Sequence, residues 1–336
     1  MESIDRIAQP VLVTGASGFI GRRVVARLLE AGVAVRALVL PHEQLPEEWG
    51  TKVDIVRGDI ADPEAVRQAV AGAGTIIHLA AVVSDWGDEA LYWKYTVDGS
   101  RLVFEEALRN NSRVVLTASV VVYGDNVRKR PCPEETPYGR AFGPYSRTKQ
   151  AQERLAWEYY RDKALRLTVV RPANVYGPGS GPWLHDIIDV LKSGAPGLIS
   201  GGKGNAGLAY VDNVADVLIL AGLDEETVGR VYNAGDGLDV TWNQYFHDLA
   251  AMIGAKKPAS VPRPLAAASA VVFESLWKLF RVKKRPPLTR EALNLVGSDN
   301  RFPNGRTARE LGYTPLVSYA EGMARTKTYL EQYLKK

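Results

Sequence analysis

Short apolar runs alternate along the first half of the chain with stretches whose apolar residues recur every three or four positions. Val11–Thr14 is an apolar run that stops at a glycine and predicts a buried strand. Ile20, Val24, Val25, Leu28 and Leu29 then share one helical face, and Gly32 ends that helix. Val33–Leu40, closed by Pro41, predicts a second strand and Val53–Arg57 a third. Asp62 followed by Pro63 marks a helix start, with a capping side chain ahead of a proline at the first helical position. Thr75–Leu79, Arg113–Thr117 and Leu167–Val170 predict three more strands, with helical segments between them. This alternation implies an α/β fold, a doubly wound parallel sheet with helices on both faces. Ligands of such sheets sit beyond the carboxyl ends of the strands.

After Arg171 the texture changes to turns such as Gly177-Pro178-Gly179 and Gly201-Gly202, and Val231–Asn233 predicts a strand returning to the sheet. The expected division is a dinucleotide-binding unit of residues 1–172 plus 208–238 and a smaller substrate lobe of residues 173–207 plus 239–336. One segment stands out. Leu265–Arg281 is apolar almost all round, with Glu274, Lys278 and Arg281 on one narrow stripe, and Lys283, Lys284 and Arg285 follow. Three readings fit: a helix packed on the lobe with a solvated basic turn, an interfacial helix collecting a lipid-phase substrate through peripheral membrane contact over 265–285, or a homodimer contact.

Composition narrows the class. Hydrophobic residues make up 46% and charged residues 24%, enough for a full core without disulfides. Cys132, the single cysteine, lies between two prolines and reads as a loop residue in a reducing, cytoplasmic compartment. Met1–Pro10 is polar, which argues against a signal peptide, and no uncharged apolar run reaches the ~18 residues of a membrane span. The net charge of +4 comes without a basic stripe or a nucleic-acid motif, so nucleic acid is not an expected partner. No metal is assigned.

Candidate chemistry lies at two places. Between the first strand and helix, Gly15, Ser17, Gly18, Phe19, Ile20 and Gly21 form a turn whose glycines let backbone approach a pyrophosphate. The end of the second strand lacks the acid that usually holds the ribose hydroxyls of NAD. That leans the reading slightly to NADP over NAD, with Arg36, Arg22 and His42 as candidate phosphate contacts. Further on, Tyr145 and Lys149 stand four apart at a helix start and so share a face. A nearby ammonium would draw the phenol below its usual ~10, fitting it to exchange a proton with a carbinol oxygen. Ser119, just past the fifth strand, can hydrogen-bond that oxygen. Tyr123 is either a ligand-stacking or a core aromatic.

In order and spacing, Thr14–Gly21, Asp59-Ile60, His78-Leu79-Ala80-Ala81, Ser119 ahead of Val122-Tyr123-Gly124, Tyr145–Lys149 and Arg171–Pro178 resemble the extended short-chain dehydrogenase/reductases over nearly the whole chain. The resemblance implies a Rossmann domain, with Ser119, Tyr145 and Lys149 catalytic. It places the cofactor against the glycine turn, Asp59, Ile60, Leu79, Ala80, Ala81, Thr117, Tyr145, Lys149, Pro172, Asn174 and Val175. The substrate would meet Val83, Ser119, Tyr123, Asn174 and Trp183. Where the family often has an Asn that holds a relay water, this chain has Thr96.

Within that family, nucleotide-sugar epimerases clamp a diphosphate with an Arg where this chain has Ala206, whereas Asn174 is a residue such epimerases often use. The second half, with Trp183-Leu184, Tyr210–Ala215, Glu274–Trp277 and Pro287–Arg290, looks like the 3β-hydroxysteroid dehydrogenase branch, which includes sterol-4-carboxylate 3-dehydrogenases and 2-alkyl-3-oxoalkanoate reductases. The expected substrate is a lipophilic secondary alcohol or ketone, with a nucleotide-sugar epimerase or dehydratase as the alternative.

Overall fold

The computed structural model describes residues 4–129 and 131–335; Glu2, part of the polar stretch noted above, lies outside them. The first half runs β1 (Val11–Thr14), α1 (Phe19–Glu30), β2 (Val35–Val39), β3 (Val53–Arg57), α2 (Pro63–Val70), β4 (Thr75–His78), α3 (Glu89–Tyr92), a π-helical turn Trp93–Asp98, α4 (Gly99–Arg109), β5 (Arg113–Thr117), α5 (Pro144–Lys163) and β6 (Leu167–Pro172). The second half runs β7 (Asn174–Tyr176), α6 (Asp186–Ser193), β8 (Leu198–Ile199), β9 (Leu208–Tyr210), α7 (Val211–Leu220), β10 (Val231–Ala234), α8 (Trp242–Met252), β11 (Ser260–Val261), α9 (Arg263–Leu279), α10 (Arg290–Val296), α11 (Gly305–Leu311) and α12 (Tyr319–Tyr333).

Seven parallel strands form the main sheet in the order β10-β6-β5-β4-β1-β2-β3, and every predicted strand is in it. The order reverses between β1 and β4, which opens a crevice at their carboxyl ends. Side chains alternate across the sheet. Val11, Val13, Val35, Ala37 and Ile77 pack with Val24 and Leu28 of α1 and Val214 and Leu218 of α7. Leu12, Leu38, Ile76, Val114 and Leu116 pack with Val66 of α2, Phe104 of α4 and Leu155 of α5. Because both faces are covered, these strands read as continuous apolar runs. Asp62 caps α2 as expected, accepting the Glu64 N–H at 3.0 Å.

The short pairs β7–β9 and β8–β11 lie outside the main sheet. Cys132 lies in a loop, as expected, and is fully buried there, its N–H donated to the Arg301 carbonyl at 2.8 Å. No helix among the described residues is long and apolar enough to cross a membrane.

Candidate active site

The glycine turn follows β1 at the reversal of strand order. Gly15 has φ +66°, and a Cβ there would stand 3.0 Å from the Ala80 nitrogen, so the turn lies directly on the Leu79-Ala80 backbone that follows β4. A Cβ at Gly21 would collide with the Gly15 carbonyl oxygen. Gly18 is the N-cap of α1 and brings no side chain to the first N–H groups, which leaves them directed past the turn. On this backbone a dinucleotide pyrophosphate fits. Nearby, Asp59 accepts the Ala61 N–H at 2.8 Å, and Ile60 packs against Gly99. Thr117 ends β5 with its buried hydroxyl unpartnered, facing the same carboxyl edge.

Sequence reasoning missed one carboxylate here. The loop after β2 folds back so that Glu43 accepts hydrogen bonds from the Ser17 hydroxyl and, at 3.1 Å, from the Leu40 N–H. An acid therefore does stand beside the turn, three residues later than the strand end would suggest. Arg36 does not. It alternates onto the α2 face with Leu38, donates to Asp54 at 2.6 Å and caps α2 through the Ala69 and Ala71 carbonyls. That is the sheet end away from the glycine turn, which corrects the expectation that Arg36 touches the cofactor. Arg22 stays at the turn, bonded to the Ser17 carbonyl at 2.7 Å.

Ser119 and Tyr145 meet at the carboxyl edge of β5. Ser119 starts a 3-10 stretch, Val120–Arg128, and accepts the Val121 N–H at 3.3 Å. Tyr145 follows Pro144 in the first turn of α5, and its phenol bonds the Ser119 hydroxyl. One turn on, Lys149 is buried and donates to the Thr117 carbonyl and to Gln152 Oε1, both at 2.9 Å. Burial brings the Lys149 ammonium down to about 7, opposed by the Glu153 charge. Burial likewise pushes Tyr145 up to about 12, with the Ser119 hydrogen bond pulling it back and Glu291 adding to the rise. The expected lowering of the Tyr145 phenol is thus not met in this arrangement, because desolvation dominates and the Lys149 ammonium is directed at Thr117 and Gln152.

A buried polar chain joins this pair to the glycine turn. Gln152 Nε2 donates to Ser100 Oγ at 2.7 Å, and Ser100 donates to the Thr96 carbonyl at 2.6 Å within the π-helical turn. Ser100 has one proton, so His78 Nε2, 2.8 Å away, must donate to it. His78 Nδ1 then accepts from Thr14 Oγ1 at 2.7 Å, and Thr14 accepts the Leu79 and Ala80 N–H groups. Burial lowers His78 to about 3, so it is neutral, in agreement with that tautomer. Thr96, where the family often has an Asn, accepts the Val82 N–H at 3.2 Å through its hydroxyl, and Lys149 is joined to Gln152 and through it to Ser100. Gln152 sits three residues past Lys149 on the same face of α5, the spacing that could have revealed it.

Glu291, 146 positions after Tyr145, is the other residue missed. It lies at the start of α10, 2.9 Å from Ser146 Oγ, with Oε1 buried and unpartnered. Burial pushes its carboxyl up to about 8, partly offset by the Ser146 hydrogen bond. The residues expected to face substrate divide. Val83 is exposed on the loop after β4, and that loop is tied to the C-terminal segment. Asp85 accepts from Arg285 at 2.5 and 2.6 Å and from Thr289 at 2.6 Å, while Trp86 Nε1 donates to the Val282 carbonyl at 3.4 Å. Asp186, three residues past Trp183, feels the charges of both Arg285 and Asp85, which brings the start of α6 to the same rim. Trp183 itself packs on Trp242, ring centroids 5.4 Å apart.

Tyr123 is fully buried, its hydroxyl donated to Asn233 at 2.6 Å and accepting from Arg171 at 3.0 Å, so it is a core residue and not a substrate contact. Asn174 is also buried and commits its Nδ2 to the Ala206 carbonyl at 2.7 Å. Ala206 is itself fully buried, so this position offers no charge to a diphosphate. Pro172 and Val175 are buried at the end of β6 and in β7.

Comparison with known proteins agrees with this geometry. The NAD dependent epimerase/dehydratase family matches residues 11–235. A 2-alkyl-3-oxoalkanoate reductase of Stenotrophomonas maltophilia is 29% identical, covering 94% of this chain and 98% of its own. A 3-beta-hydroxysteroid dehydrogenase of Mycolicibacterium neoaurum is 29% identical, with 95% and 90% covered. The solved UDP-glucose 4-epimerase of Thermotoga maritima superposes with a TM-score of 0.75 at 25% identity, covering 96% of this chain and 99% of that one. The chain belongs to the NAD dependent epimerase/dehydratase family and is an extended short-chain dehydrogenase/reductase.

Proposed function

We propose that the protein is an oxidoreductase interconverting a lipophilic secondary alcohol and its ketone with a nicotinamide cofactor. The observation that carries this reading is the Ser119–Tyr145 pair, backed by Lys149, at the carboxyl edge of β5 beside the glycine turn. A bound nicotinamide ring supplies the hydride donor or acceptor. The Ser119 hydroxyl holds the substrate oxygen, and Tyr145 takes that oxygen's proton in oxidation or returns it in reduction. Lys149, held on Thr117 and Gln152 in this arrangement, would favour phenolate and meet the ribose hydroxyls of a bound cofactor by turning its ammonium toward them. Residues 1–172 with 208–238 would carry the cofactor, and residues 173–207 with 239–336 would frame the substrate.

Two features favour a lipophilic substrate. Ala206 gives no cation for a diphosphate, and two relatives at 29% identity carry the names of an oxoalkanoate reductase and a hydroxysteroid dehydrogenase. The test is incubation of purified protein with NAD(H) and two panels, sterols with long-chain 3-oxo acids, and UDP- or dTDP-sugars. Cofactor turnover with the lipid panel is the expected result. Epimerisation or dehydration of a nucleotide sugar, with the lipids inert, would reverse the assignment.

Glu43 alters the expected cofactor preference. A carboxylate bonded to Ser17 stands where adenosine ribose hydroxyls would lie and would repel a 2′-phosphate. We therefore favour NAD(H) over NADP(H), in place of the slight lean the strand end alone supports. The expected preference is at least about tenfold in kcat/KM, ~1.4 kcal/mol of discrimination, and Glu43→Ala should narrow it. Equal use of both cofactors by the parent enzyme would return the choice to NADP.

A further inference from the structure

Helix α9 is packed the wrong way round for a surface helix of a globular protein. Its inward stripe is Ala266, Ala270 and Glu274, exposed by 1%, 0% and 6%. Glu274 accepts from the Arg290 backbone and guanidinium, both at 2.7 Å, which fixes the helix on α10. The opposite stripe is Leu265, Val272, Leu276 and Leu279, exposed by 58%, 52%, 40% and 73%, and Val271, Phe280 and Val282 extend it. These seven are more than half of the thirteen exposed large apolar residues among those described. A helix that served only the core would turn its leucines inward. The polar stripe expected from the sequence is split accordingly: Glu274 is buried and paired, while Lys278 and Arg281 are exposed.

Charge identifies what covers the face. Lys278, Arg281, Lys283 and Lys284 border its C-terminal end, all exposed. Arg281, Lys283 and Lys284 have no carboxylate partner among the described residues, and Glu274 is the only acid between Arg263 and Arg290. A second copy docked through the same face would offer these cations no free carboxylate from α9 or the segment 280–284, because Glu274, the only acid there, is buried and paired with Arg290. A bilayer instead takes apolar side chains into its acyl boundary and meets a cationic rim with anionic headgroups. We infer that α9 and the segment 280–284 form a docking surface for an anionic lipid bilayer.

The surface adjoins the rim of the site. The Val282 carbonyl accepts from Trp86 Nε1, and Arg285 pairs with Asp85. Docking on α9 thus brings the Val83–Trp86 loop to the lipid interface.

The test is co-sedimentation of the purified full chain with vesicles of phosphatidylcholine alone or mixed with phosphatidylglycerol. No substrate is present, so the result is independent of the substrate assignment. Binding to the mixed vesicles is expected, weaker by about tenfold or more on phosphatidylcholine alone and weakened by salt. Lys283→Glu/Lys284→Glu should erase the preference for anionic vesicles. Leu279→Asp/Phe280→Asp should lower binding by about tenfold or more, with cofactor binding and circular dichroism unchanged, since both side chains already lie in solvent. No binding of the parent chain to mixed vesicles would overturn the inference, as would undiminished binding of the Leu279→Asp/Phe280→Asp variant. A dimer that Phe280→Asp dissociates, with vesicles left unbound, would give the face to a second copy and overturn it equally.

Discussion

Replacing Tyr145 by phenylalanine is expected to lower kcat by at least about 10²-fold, the usual cost of losing a general acid/base, while NAD(H) binding stays near that of the parent. The ring keeps its place after Pro144, so the start of α5 is undisturbed. What is lost is the hydroxyl bonded to Ser119, the group proposed to exchange a proton with the substrate oxygen. The environment sharpens the expectation. Burial holds the phenol up at about 12, too reluctant an acid for work near neutrality unless a cation comes close. Lys149, brought down to about 7, is the neighbouring cation on the same face of α5. Lys149→Met should accordingly impair turnover as well as cofactor binding, whereas Tyr145→Phe impairs turnover alone. Single-turnover and cofactor-titration measurements on both variants separate the two roles. Near-parental turnover in Tyr145→Phe would remove Tyr145 from the mechanism.

The parts of this site that lie along one strand or one helix face were legible in the sequence. Apolar runs buried on both faces marked the strands, and the glycine spacing and Tyr145–Lys149 needed only local geometry. What escaped depends on how distant segments fold back. Glu43 reaches Ser17 because a loop turns, and no strand pattern encodes that turn. Glu291 reaches Ser146 across 145 positions of sequence. Arg36 was misplaced because period-two alternation says that a strand residue faces one side or the other, not which helix layer lies there or at which end of the sheet its guanidinium is satisfied. In α9 the apolar content was legible, but not which stripe faces the protein. Three small or paired residues, Ala266, Ala270 and Glu274, decided that.

The largest expected effect on stability comes from Glu153, which joins the catalytic helix to the sheet. Its side chain on α5 is fully buried, and Arg171 of β6, 4% exposed, grips it with two guanidinium nitrogens. Tyr138 and Trp157 also donate to Glu153, at 2.9 and 3.3 Å, while Arg171 donates onward to Tyr123 and to the Glu134 carbonyl. Every charge in this network is paired, so removing one partner strands the other in a dry interior. Glu153→Ala should cost ~3–5 kcal/mol of unfolding free energy, read as a lower urea midpoint. The double variant Glu153→Leu/Arg171→Met should lose less than the single one, because an apolar pair leaves no uncompensated charge. The single variant should also be less active while still folded, since the Glu153 charge helps keep the Lys149 ammonium protonated against its burial. A Glu153→Ala protein within about 1 kcal/mol of the parent, the range of an exposed ion pair, would mean that water reaches Arg171 and that the network does not hold α5 against β6.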